Sequence, residues 1–412
     1  MRIAFDGTTL RPGRTGVGYY TEHLLHEVLN QATGHDVVVV SNRPLDVARP
    51  LPARVRVARA RWQVPQLVWM QTVAPTLLCR LRPDVVHFTN GMMPLLSPIP
   101  TVVTIHDMSL TLYPEFHPPR RVLLNRPLVG VAAQRADAII TVSRAAKRDI
   151  VHHYGLAPDR VHVVSEAAAP QFQPMHEQPR LEAVRRRYGL ADRFILYVGT
   201  IEPRKNLPLL LHALAARHRT GELPHQLVCV GPYGWRCRHV EALIERLGLG
   251  DRVRFTGYAA FDDLPAIYNL AEMLVFPSLY EGFGLPVIEA MACGTPVVTG
   301  RVDALVEVGG DAVAQVPHLD AEALGDVMVR LARDPERRAE LGVRGIRRAG
   351  MFSWQRAARE TLAVYDQAIG RPSAARPPTE GTAEATDELA TRVRSTSVAM
   401  KDMTDTARTL GA

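Results

Sequence analysis

Met273-Leu-Val-Phe-Pro-Ser-Leu-Tyr-Glu-Gly-Phe-Gly-Leu-Pro-Val-Ile-Glu-Ala290 is the stretch that decides the architecture. Met273–Phe276 is wholly apolar and short, as expected of a strand buried on both faces. Gly282 and Gly284 then remove side-chain obstruction, and Pro286 suits a first helical turn, so a helix starts just after Gly284. Strand, glycine loop and helix make the repeating unit of a parallel α/β sheet. Backbone N–H groups opening such a helix point towards an anion. Glu281 lies on the loop and Glu289 one turn inside the helix. Two acids at different depths beside an anion-binding helix end suggest hydroxyl recognition on a sugar and a ribose. The structural alternatives are a helix-face pair for Glu289 and a dipole-favoured loop charge for Glu281.

The same alternation extends almost from end to end. Strand candidates in the first half are Ile3–Asp6, Val37–Ser41, Val85–Phe88, Val102–His106, Ala138–Val142 and Val161–Val164. A second series comprises Phe194–Gly199, Leu227–Val230, Val253–Thr256, Met273–Phe276, Pro296–Thr299 and Val313–Val316. Ser165–Pro179, between them, has little periodicity and reads as a linker. Apolar runs such as Val37–Val40 imply sheets covered on both faces. The chain therefore divides into two doubly wound domains, residues 1–168 and 169–352, facing a central cleft. Ser353 suits the N-cap of a further helix, 353–370. Residues 371–412 read as a disordered tail with one transient helix around Thr386–Val398. Arg54, Arg56, Arg59 and Arg61 alternate with apolar residues and mark a solvated strand edge.

With 412 residues, 47% hydrophobic and 22% charged, the chain is no disordered protein. No apolar run reaches the roughly 18 residues that span a bilayer. Met1–Asp6 enters a strand at once, without the apolar core of a signal peptide. Cys79, Cys229, Cys237 and Cys293 form no CxxC pair and no disulfide framework, which points to the reducing cytoplasm. Net charge is 49 − 42 = +7, and the six basic and six acidic residues after Gly370 cancel, so the body carries the excess. A basic body attracts nucleic acid, anionic lipid or phosphorylated small molecules. Aromatic content of 6% and the lack of RNP, zinc-finger or helix-turn-helix patterns argue against nucleic acid. There is no Walker A loop, no HExxH and no Asp-x-Asp, so no metal site is expected. His23-x-x-His26, on a helix from near Val17, reads as a solvated face before it reads as a ligand pair.

Three other loops carry chemistry. Arg14-Thr-Gly-Val-Gly-Tyr19 follows the first strand and opens a helix, either as a ligand loop or as a plain turn. Thr21 stands where a dinucleotide fingerprint needs its third glycine. Thr104-Ile-His-Asp107 ends a strand at the carboxyl edge, where open α/β sheets bind ligands. His106 and Asp107 either face a ligand or form a buried histidine–aspartate pair. In Tyr197-Val-Gly-Thr-Ile-Glu-Pro-Arg-Lys-Asn-Leu207 the strand ends at Gly199, and Arg204 and Lys205 precede the next helix. Two cations at the rim of a crevice make a diphosphate clamp, with solvated surface charges as the alternative.

Glu281 and Glu289 form a Glu-x7-Glu pattern in Glu-Gly-Phe-Gly-Leu-Pro-x-x-Glu-Ala-Met-Ala-x-Gly-Thr-Pro-Val-Val. This resembles the donor-site signature of glycosyltransferase family 4, retaining enzymes of the GT-B fold. Val198–Leu207, His106-Asp107 and Thr141-Val142-Ser143 resemble other stretches of that family, and the similarity covers about residues 1–369. The Gly-Thr-Ile-Glu-Pro-Arg-Lys-Asn-Leu form is most similar to bacterial mannosyltransferases using GDP-mannose. The resemblance implies retaining transfer of a hexose, mannose, from GDP-mannose to a glycan or lipid-linked acceptor, with no metal or other cofactor. UDP- or ADP-sugar donors, or a GT-B phosphorylase, are the alternatives.

By the same resemblance, Arg204 and Lys205 hold the donor diphosphate and Glu281 contacts hydroxyls of the transferred sugar. The Gly282–Leu285 backbone, with Phe283 and Gly284, reaches sugar and phosphate. Glu289 takes the ribose, His106 and Asp107 lie beside the sugar, and Gly16 lines the cleft from the other domain. The nucleobase rests near Gly231–Tyr233 and Gly257-Tyr258. Thr200 stands where many members have an arginine, which shifts diphosphate binding onto Lys205 and Arg204. Arg301 and Asp303 stand where small hydroxyl residues are common. The helix from Ser353 crosses back onto the first domain. Phe116–Arg126, mixing Arg120, Arg121 and Arg126 with Val122, Leu123 and Leu124, either docks peripherally on anionic lipid or packs on its own sheet.

Overall fold

The apolar runs pair in parallel, and their pairing makes two sheets. The computed structural model describes residues 1–370 except 61–63, 238 and 317–319. Arg61 and the tail with its Thr386–Val398 helix therefore lie outside the described residues. The first sheet contains β1 (Arg2–Asp6), β2 (Asp36–Ser41), β3 (Arg56–Arg59), β4 (Val85–Phe88), β5 (Thr101–Thr104), β6 (Ala138–Thr141) and β7 (Val161–Val163), in the order β3-β2-β1-β4-β5-β6-β7. The second contains β8 (Phe194–Val198), β9 (Gln226–Val230), β10 (Val253–Gly257), β11 (Met273–Phe276), β12 (Val297–Gly300) and β13 (Ala314–Val316), ordered β10-β9-β8-β11-β12-β13.

Strand order reverses between β1 and β4, where Ile3 sits opposite Val85, and between β8 and β11, where Ile195 sits opposite Met273. At such a reversal the adjoining loops leave to opposite faces and open a crevice at the carboxyl edge. Four strands, β5 to β8, stop short of their expected ends, and of these β8 lies at a reversal. β5 releases the chain at Thr104, before His106, and β8 releases it at Val198, before Gly199 at φ 143°. β3 is the solvated edge, with Arg56, Val57 and Arg59 exposed. Arginines there discourage pairing with another sheet.

The helix Trp354–Gly370 returns to the first sheet. Ser353 Oγ accepts the Arg356 N–H at 3.1 Å, so the serine caps it. The helix lies along the Gly16–Gln31 helix, and Tyr365 Oη sits 2.7 Å from Nδ1 of buried His87 on β4. The structure corrects the reading of His23 and His26. Both are buried; the His23 ring stacks 5.3 Å from Trp354 of the returning helix, and His26 lies beside Arg49. Burial, with Arg49 next, lowers the His23 pKa to about 4. Among the described residues no group of three or more His, Cys, Asp and Glu is placed to hold a metal, and all four cysteines are free.

Candidate active site

Loops leaving the two carboxyl edges meet. A Cβ at Gly282 would lie 1.9 Å from the His106 carbonyl oxygen, so only glycine passes there. A Cβ at Gly16 would touch Leu285 Cδ1 at 3.5 Å. Gly284, at φ 102°, turns the chain into the Leu285–Ala292 helix with Pro286 in its first turn. The Val287 N–H bonds back to the Gly284 carbonyl at 2.9 Å. Since Pro286 has no N–H, the helix opens with fewer anion-facing amides than a proline-free start provides.

Arg204 and Lys205 lie on the short turn Pro203–Lys205, followed by Asn206 in the left-handed region at φ 53°. They are not solvated surface charges. Lys205 Nζ is 2.6 Å from Glu281 Oε1 and 4.5 Å from the centre of the Phe276 ring. Arg204 Nη1 is 2.9 Å from Glu281 Oε2 and donates to the Tyr280 carbonyl at 2.8 Å. Arg204 Nη2 donates to Glu202 Oε1 at 2.8 Å. Burial pulls the Lys205 pKa below its ordinary value although Glu281 opposes it. Burial alone would raise Glu281, but Arg204 and then Lys205 hold it below the usual carboxylate range. A buried ion cluster contributes little net stability and marks a functional site more readily.

His106 stands beside these loops. Its Nε2 donates to the Thr89 carbonyl at 2.9 Å, and its Nδ1 lies 3.2 Å from Glu166 Oε1. Burial disfavours the imidazolium, yet the Glu166 contact outweighs it and the pKa rises. A histidine–aspartate pair is not formed. The Asp107 carboxylate instead accepts the Ser109 N–H at 2.8 Å, and Arg204 keeps it below its ordinary pKa despite burial. Glu166 is the residue that sequence reasoning missed. Its one signal is an acid directly before the three alanines Ala167–Ala169 of the linker, and it is buried at 5% exposure.

Glu289 Oε2 accepts the Tyr268 hydroxyl at 2.8 Å, so its partner is a phenol on a neighbouring helix and not a cation on its own. Burial raises the Glu289 pKa to about 8. Phe283 points into the core, its ring 5.7 Å from Phe352. Tyr258 is half-exposed and its hydroxyl meets that of Tyr19 at 2.5 Å across the two halves. Thr200 borders the Gly234 turn, where a Cβ would meet its Cγ2 at 2.7 Å. The ends of β9 and β10 touch through Gly231 N–H and the Gly257 carbonyl at 2.8 Å. Arg301 and Asp303 are exposed, and Asp303 pairs with Arg148 of the first half at 2.9 Å. A surface depression of about 500 Å³ between β7 and the returning helix contains none of these residues.

Residues 14–171 match Glycosyltransferase Family 4, and residues 182–348 match Glycosyl transferases group 1. The MMP alpha-(1->4)-mannosyltransferase of Mycolicibacterium hassiacum is 31% identical over 428 residues, covering 91% of this chain and 100% of that protein. The O-antigen chain mannosyltransferase B of Escherichia coli is 34% identical over 265 residues, 64% of this chain and 69% of that one. Sucrose-phosphate synthase from Thermosynechococcus elongatus superposes with a TM-score of 0.69 at 23% identity, over 89% of this chain and 98% of that one. Two parallel Rossmann-like sheets, carboxyl edges meeting at a shared crevice and matches along both halves lead to one assignment: the chain belongs to glycosyltransferase family 4, is a glycosyltransferase and has the GT-B fold.

Proposed function

We propose that the chain transfers mannose from GDP-mannose to a glycan or lipid-linked acceptor, with retention at the anomeric carbon and without a metal. The observation that carries the reading is the cluster Arg204–Glu281–Lys205, buried at the β8/β11 switch beside the start of the Leu285–Ala292 helix. Cleaving a sugar–diphosphate bond develops negative charge on the leaving group and oxocarbenium character on the sugar. Preorganised donors aimed at that charge supply the largest share of catalysis, about 2.7–4 kcal/mol for a single donor. Arg204, Lys205 and the opening of the helix fill this role with groups of the chain itself.

Glu281, engaged by two cations, serves recognition of sugar hydroxyls and is not a nucleophile. The acceptor attacks from the leaving-group face and the departing phosphate takes its proton. Glu289, with a pKa near 8, holds a proton at neutral pH and so can donate as well as accept towards ribose hydroxyls. Mannose as the transferred sugar rests on the mannosyltransferase names of the two sequence relatives.

The acceptor side is read as an anionic lipid surface. The Pro119–Arg135 helix carries Arg120, Arg121, Arg126 and Arg135 with no acid, and Leu123 is 76% exposed. Only Ala132 and Ala133, near its end, are buried, so its first turns do not pack on the sheet. No helix among the described residues is long and apolar enough to cross a membrane. Peripheral contact through this helix therefore brings the cleft to a lipid-linked acceptor.

A thermal-shift panel of GDP, UDP, ADP and inorganic phosphate tests the donor, because a ligand stabilises the state it binds. The largest rise in Tm is expected with GDP. A larger rise with UDP or ADP reassigns the nucleotide, and a response to phosphate alone turns the reading into a phosphorylase.

A further inference from the structure

Tyr280 and Gly282 flank Glu281, and both reach across to the other half of the molecule. The Tyr280 ring belongs to the hydrophobic cluster of the first sheet, with Val103, Ile105 and Met108, and lies 5.1 Å from the Tyr113 ring. Its hydroxyl donates to Asp149 Oδ2 at 2.7 Å and accepts the Met108 N–H at 3.2 Å. The Gly282 carbonyl accepts the Ser143 hydroxyl at 2.6 Å. Ser143 caps the Arg144–Tyr154 helix, and Asp149 lies on it, so one element of the first half holds both neighbours of the acid. Between these anchors Glu281 turns back to Arg204 and Lys205 of its own half. Pinning the residues before and after it leaves the intervening backbone little freedom, and breaking the anchors returns that freedom.

We propose that Tyr280 and Asp149 are positioning residues for glycosyl transfer, which seat Glu281 for the transferred sugar only when the two halves are closed on each other. Recognition of the sugar then depends on closure, while recognition of the diphosphate by Arg204 and Lys205 stays within one half. The inference rests on the donor-site reading above and adds the conformational condition under which that site becomes selective for a sugar.

The test compares Kd for a nucleoside diphosphate and for its hexose conjugate by calorimetry. The pair used is the nucleotide selected by the thermal panel, GDP and GDP-mannose on the present reading. Tyr280→Phe keeps the ring packing and removes the hydroxyl, and Asp149→Asn keeps an acceptor oxygen while removing the charge. For Tyr280→Phe the ratio Kd(GDP)/Kd(GDP-mannose) is expected to fall about five- to tenfold, as for one lost hydrogen bond of ordinary net strength. GDP affinity is expected to stay within about twofold of the wild type, and Asp149→Asn to show a smaller fall in the ratio. An unchanged ratio in both variants overturns the proposal, and so does equal weakening of both ligands, which marks a merely structural role. If the wild-type chain binds neither ligand, the donor-site reading itself fails and takes this inference with it.

Discussion

Lys205 has its ammonium between a carboxylate and an aromatic face, where a free surface lysine would not settle. Replacing it removes charge stabilisation from the leaving group. Lys205→Ala should cut kcat/KM by about 10²–10³ with the circular-dichroism spectrum unchanged; near-normal turnover removes the residue from the site. Glu289 gives a pH signature. Its folded pKa, near 8, lies above the ordinary carboxylate value of 4.5, so the native state binds the extra proton between those values. Its contribution to stability therefore declines as pH rises from about 4.5 to about 8 and is flat outside that window. Glu289→Gln cannot ionise, so its Tm relative to wild type should climb between pH 5 and pH 8; a constant difference rejects the raised pKa. That Arg204, Lys205 and Glu281 gather at one sheet edge was legible, because charged residues beside glycine loops at strand ends have few structural uses. The pairing of His106 was not, because Glu166 arrives from the linker 60 residues further on.

At the scale of elements, the strands were legible wherever all residues of a run are apolar, as in β11. Their ends were less so, since Ile105 is apolar and buried yet already outside β5. The inner face of the Gly16–Gln31 helix was misread because His23 looks solvated until Trp354 of the returning helix is laid over it. The Pro119–Arg135 helix poses the opposite case, with leucines left uncovered by the fold. Co-sedimentation with vesicles of phosphatidylglycerol should therefore retain the wild type at low salt. Arg120→Glu combined with Arg121→Glu should release it, since each basic residue near such a surface contributes about 1 kcal/mol. Equal retention of both proteins removes the helix from membrane contact.

Across the whole molecule, the two halves are joined by more than the crevice. The Glu307 carboxylate accepts the Arg144 and Ala145 N–H groups at 2.9 and 3.0 Å, at the amino end of the helix that also holds Tyr280 through Asp149. An anion at a helix amino terminus is favourable, and this one is supplied by the opposite half. Glu307→Ala should therefore loosen the closed form, seen as a larger radius of gyration by small-angle scattering without donor; an unchanged radius rejects Glu307 as a clasp. None of this was legible in sequence, because nothing local links residue 307 to residue 144. The polypeptide passes between the halves once before β8 and again ahead of Trp354, whose ring touches Tyr20 and His23 of the first half. A body strung on a single thread can swivel in any direction, whereas one hung from a pair of threads swings like a door on its pins. The double passage thus leaves the lobes fewer ways to turn against each other than a single crossing would.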